Sequence, residues 1–136
     1  MSTENLWGKI DLTVKLDTPA VLLKQQANAL EKATRGLLSG RVQPYNTNDP
    51  NQIGHELRIV APALANYSVA IVSVAHDITL YPASVLSDVD GEEMGEARNP
   101  EELKDLLRLV LQSEKVKKIV HALIAQSVAE ESSDRS

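Results

Sequence analysis

The chain has no cysteine and no phenylalanine. Without thiols it forms no disulfide, offers no thiolate nucleophile and builds no cysteine zinc site. Its aromatic residues are Trp7, Tyr45, Tyr67 and Tyr81, so aliphatic side chains and alanine must fill the core. Aromatic rings commonly anchor ligand pockets and stack on bases. Their scarcity argues against a large cofactor site, and no cofactor is expected. Positive charge is also in deficit: 14 Lys and Arg stand against 19 Asp and Glu, a formal net charge of −5. That balance lacks the basic footprint of a nucleic-acid binder. No apolar run reaches the ~18–20 residues of a membrane span. The opening residues Met1 to Asn5 are polar and lack the basic and apolar regions of a signal peptide, so a cytoplasmic location is expected and the sequon Asn66-Tyr67-Ser68 carries no weight. The six glycines are scattered, which excludes a phosphate-cradling loop, and no serine stands in a nucleophile elbow.

A chain of 136 residues has the size of one domain. Lys9 to Leu16 alternates, with Ile10, Leu12, Val14 and Leu16 on one side and Lys9, Asp11, Thr13 and Lys15 on the other. That period of two predicts a first strand with one wet face. Thr18 before Pro19 reads as a helix start. Leu23, Ala27, Leu30, Ala33 and Leu37 then recur at helical spacing, and Ser39-Gly40 reads as the stop, with Gly40 suited to a left-handed cap. Arg41 to Tyr45 is a candidate short strand. Asn46 to Gly54 is rich in turn formers.

His55 to Leu86 carries most of the β-forming residues and predicts a three-strand meander: Glu56 to Ala63, Tyr67 to Ala75 and Ile78 to Leu86. The middle strand is apolar on both faces, which predicts a central position covered twice. Pro82 predicts that the third strand lies at an edge. Ser87 to Arg98 is acidic and predicts a loop. Asn99-Pro100-Glu101-Glu102 is a strong helix start. The apolar stripe slips near Gln112, which predicts two helices, 100–111 and 114–128, and Ser113 can cap the second. Residues 129–136 are polar and predict a disordered tail. The expected architecture is a single α+β domain over residues 1–128. It has a mostly antiparallel sheet of four to five strands, one helix after the first strand and two C-terminal helices.

Three groups of residues carry candidate chemistry. His76-Asp77 resembles the His-Asp pair of metal phosphohydrolases, although it falls in a predicted turn where Asp is favoured for its own sake. His55 starts one strand and His76 ends the next, so an antiparallel pair brings them to the same end of the ladder. With Asp77 they make a weak catalytic set; a zinc site would need a third protein ligand. Asp88 and Asp90 resemble the opening of a calcium loop, but no helix enters it and Met94-Gly95 interrupt the remainder. Carboxylates ahead of a helix are also favoured by its dipole. Lys115, Lys117 and Lys118 fit a solvated helix face.

The largest remaining feature is acidic. Asp88, Asp90, Glu92, Glu93, Glu96, Glu101, Glu102 and Asp105 stand against Arg98 and Lys104 alone. That patch suits a basic protein, and a second copy is the natural cover for an apolar sheet face that three helices leave open. The expected function is a protein-interaction module such as an adaptor, an immunity protein or an antitoxin, as a homodimer or with a basic partner. The alternative is a small metal-assisted hydrolase using His55, His76 and Asp77.

Overall fold

Thr18 starts the first helix because its hydroxyl can take the place of a missing backbone acceptor. It accepts from the Val21 amide at 3.1 Å, and Pro19 fills the first helical position. The helix that follows, α1, spans Pro19–Ala33. The computed structural model describes the backbone of residues 4–14 and 16–133, and side chains through Glu131. Helix α1 closes in a Schellman turn, with Arg35 left-handed at φ 52°, Gly36 N–H donating to the Glu31 carbonyl at 2.9 Å and Arg35 N–H to Lys32 at 3.2 Å. The stop thus lies at Thr34 to Gly36, not at Gly40. Gly40 belongs to the first strand, and its role is proximity: a Cβ built there would lie 2.5 Å from the Ala27 Cα and Cβ. Helix and sheet meet at that point without a side chain between them.

Five strands follow: β1 Ser39–Tyr45, β2 Ile53–Ala61, β3 Tyr67–His76, β4 Ala83–Ser87 and β5 Glu92–Ala97. They form one sheet in the order β1-β2-β3-β4-β5, every neighbour antiparallel. The α+β reading holds, with five strands and two C-terminal helices, but the helix precedes the first strand. The strand expected at Lys9–Leu16 is not one: the described residues of that segment are irregular and exposed, and Lys15 lies outside the described residues. Among the described residues no strand precedes α1, so no parallel crossover is made through that helix. Pro82 stands outside β4, in the loop 77–82, so β4 is central and not an edge. The expected loop 87–98 contains β5, a poor β-former by composition that pairs through Ser84 with Glu96 and Leu86 with Glu93.

Strand β3 also corrects the expected cover on two faces. Leu57 lies opposite Val72 but Arg58 lies opposite Ala70, so Ile71 is an extra, bulged residue. The bulge restarts the alternation. Val72 and Val74 face the helices on one side of it and Val69 on the other, while Ser68, Ala70, Ser73 and Ala75 fall on the second face. One covered face therefore suffices for the aliphatic residues. Helix α1 lies over β1 and β2, and α2 (Pro100–Leu111) over β3, β4 and β5. Leu23, Leu38, Ile71, Val74 and Leu103 are fully buried between the layers.

Asn99 caps α2 by accepting from the Glu102 amide at 2.9 Å, while Glu102 reaches back to the Arg98 amide at 2.8 Å. Ser113 accepts from Val116 N–H at 3.3 Å and starts α3, Glu114–Ser133. That helix continues five residues past the predicted end at Val128. It takes in the first part of the expected tail, and residues 134–136 lie outside the described residues. No described helix is long and apolar enough to cross a membrane.

Candidate functional site

The covered face of the sheet holds the imidazole pair. His55 on β2 lies two residues from Ile53, which is opposite His76 at the end of β3. The rings stack with centroids 6.2 Å apart and planes 12° from parallel. His76 is buried, and its Nδ1 lies 2.6 Å from the Asp77 backbone carbonyl. A carbonyl only accepts, so Nδ1 carries a proton. His55 Nδ1 is buried with no hydrogen-bond partner. Burial, then the neighbouring His76, then Lys24 hold the His55 imidazole below its ordinary pKa.

Asp77 meets this pair through its carbonyl, and its side chain is exposed. Among the described residues no group of three or more His, Asp or Glu is placed to hold a metal ion. The chemistry the pair offers by itself is proton exchange between two stacked imidazoles.

Asp88 lies on the opposite, polar face, apart from the histidines. Its carboxylate accepts from the Ser73 hydroxyl at 2.7 Å and its amide donates to the Ile71 carbonyl at 2.9 Å. Burial raises the Asp88 pKa; Ser73 and Arg58 oppose that rise, and Glu56 adds to it. Asp90 sits at the exposed β4–β5 turn and accepts from the Glu92 amide at 3.0 Å. The two candidate metal carboxylates therefore diverge, one turned into the sheet face and one into solvent.

That polar face has its own order, which the strand pattern foreshadowed only by alternating Glu56 and Arg58 with Leu57 and Ile59. Arg58 pairs with Glu56 at 2.9 Å, Gln43 donates to the same Glu56 oxygen at 2.8 Å, and Arg58 also donates to Ser68 Oγ at 3.2 Å. Tyr45 lies near Asp88 and Glu56, and burial followed by those two charges raises its hydroxyl pKa. A cavity of about 420 Å³ opens beside this network, lined by Tyr45, Ser73, Ser84, Glu93 and Glu96 among others.

The acidic residues expected to form one interaction patch fall into two sets. Glu92, Glu93 and Glu96 are exposed along β5, an outer strand of the sheet. Glu101 and Glu102 lie in the first turn of α2, paired with Lys104 at 3.2 Å and Arg98 at 3.4 Å. Carboxylates there complement the helix dipole.

The N-terminal arm exposes large apolar side chains. Leu6 is 86 % exposed, Trp7 84 % and Leu12 92 %; Ile10, Val14 and Leu16 are each more than half exposed. The arm is tethered at its end, where the Tyr81 hydroxyl donates to the Asp17 carbonyl at 2.7 Å. The alternation of residues 9–16 marks this segment in the sequence, but alternation alone does not say which sheet, if any, it joins. Comparison with protein-family models, curated proteins and solved structures finds no match to this chain.

Proposed function

We propose that the chain is a cytoplasmic protein-interaction module, an adaptor or an immunity- or antitoxin-like binder, working by contact and not by catalysis. The observation that carries this reading is the arm. Large exposed apolar side chains in one contiguous segment are uncommon on a monomer and mark an interaction site. The acidic outer strand supports a basic or self-complementary partner.

The test is affinity purification from native extract with the full chain, quantified against the Leu12→Asp, Val14→Asp double variant. Both positions are exposed, so the fold is retained. The expected result is a partner, or a second tagged copy of this chain, held by the native protein and lost with the variant. Identical recovery with both baits contradicts the reading.

The unpartnered His55 Nδ1 favours one second reading, a small metal-assisted hydrolase on His55, His76 and Asp77. A thermal melt with zinc or manganese separates the two, because a ligand that binds only the folded state raises Tm. A rise that His55→Gln removes supports the hydrolase, and an unchanged melt speaks against it.

A further inference from the structure

We infer that the arm of one copy adds as a sixth strand to the outer side of β5 in a second copy, so that two chains exchange arms. This rests on the interaction reading above and names its partner and surface.

Residues 9–16 have the sequence alternation of a strand with one buried face, yet the described residues among them lie off their own sheet with Ile10, Leu12, Val14 and Leu16 in solvent. In the single chain a turn interrupts the segment, the Asp11 carboxylate accepting from the Thr13 amide at 2.9 Å. Once that exposed turn opens, an open sheet edge satisfies the segment, because the backbone supplies hydrogen bonds and alternate side chains supply selectivity. The sheet has two such edges, β1 and β5.

Charge separates them. The wet side of the arm carries Lys9 and Lys15. On the polar face β1 presents Arg41, level with Arg58, and Pro44 in β1 has no N–H to donate. On the same face β5 presents Glu93 and Glu96, in register with Leu86 and Ser84. On its covered face β5 has Glu92, Gly95 and Ala97, and a Cβ built at Gly95 meets nothing within 4 Å, which leaves space there for an aliphatic side chain of the arm.

The charges also set direction. Run antiparallel to β5, the arm places Lys15 opposite Glu93, Thr13 opposite Glu96 and Asp11 level with Arg98, whose side chain is 82 % exposed. Run parallel with Lys15 opposite Glu96, it leaves Asp11 at the Asp90–Gly91 turn, among acids.

The antiparallel register is closed to the chain's own arm. Tyr81 holds Asp17 just before β4, at the end of the ladder where Ala83 pairs with Ala97. The register requires Asp17 beyond Glu92, at the other end. A second copy supplies the geometry, and reciprocal exchange gives the two-fold symmetry commonest among oligomers.

The test is sedimentation equilibrium of the full chain at tens to hundreds of micromolar. The native chain is expected to be a dimer and the Leu12→Asp, Val14→Asp variant a monomer. Lys15→Glu sets like charges opposite each other at two symmetric sites and is expected to weaken the dimer about tenfold or more. Lys15→Glu combined with Glu93→Lys is expected to recover most of that loss. A native monomer overturns the inference, as does a dimer indifferent to the arm or a charge swap without recovery. A native monomer whose arm variant still loses a different protein in the purification experiment overturns arm exchange while leaving the interaction reading in place.

Discussion

The arm at residues 9–16 and strand β3 are the two most regularly apolar stretches of the chain, and their fates are opposite. In β3, Ile71, Val72 and Val74 are fully buried under the helices, and Val72 and Val74 are paired on both sides by β2 and β4. In the arm, Leu12 is almost fully exposed. Alternation makes a segment fit to be half of a buried ladder, but the other half must be supplied. For β3 it is supplied twice, by strands joined to it through short connections. The arm is followed directly by α1, which leads to β1 at the far edge of the sheet from β5.

The contrast can be broken at the core side first. Leu23→Ala removes a fully buried side chain under α1 and is expected to cost about 2–5 kcal/mol in urea unfolding. A loss as small as that of a surface substitution would mean that α1 does not seal the sheet. Gly40→Ala forces α1 away from β1 at Ala27 and is expected to cost about 1–3 kcal/mol by the same measurement; an unchanged midpoint would refute the close approach. Asn99→Ala unties the start of α2 and is expected to lose about 1 kcal/mol, read as a lower Tm.

The imidazole pair gives a prediction in pH. The folded chain holds His55 below its ordinary value of 6.5, so the unfolded chain binds more protons as acid is added, and stability rises with pH across that interval. The contribution is present above about 6.5 and is lost as pH falls below it toward the lower folded value. A Tm series from neutral to mildly acidic pH should slope downward, and His55→Gln should flatten it; equal slopes would remove His55 as the cause. The smallest effect belongs to the arm. Leu12→Ala, measured on dilute protein, is expected to change stability by less than about 0.5 kcal/mol, and a core-sized loss would place the arm inside its own domain.

Much of the fold was legible because local chemistry dictated it. Thr18-Pro19, Asn99-Pro100 and Ser113 start helices by capping alone, and β2 and β3 follow from their branched residues. Strand β5 was hidden because Glu92, Glu93, Gly95 and Glu96 have little intrinsic preference for a strand; it forms by pairing with β4. The bulge at Ile71 was hidden because a one-residue slip leaves no mark in composition, yet it turns an apparently two-sided apolar strand into a one-sided one. The juxtaposition of His55 and His76 followed from antiparallel return. The polar network of Gln43, Glu56, Arg58 and Ser68 did not, since it depends on three strands in register.

Hydrogen exchange across a concentration series tests the central claim most directly, because it reads the arm and β3 in one sample. The account predicts that β3 amides are protected at every concentration, that amides of residues 10–16 exchange freely when the chain is dilute, and that they gain protection together with those of β5 as the chain is concentrated. Arm amides protected even at the lowest concentration, or open at the highest, would contradict it.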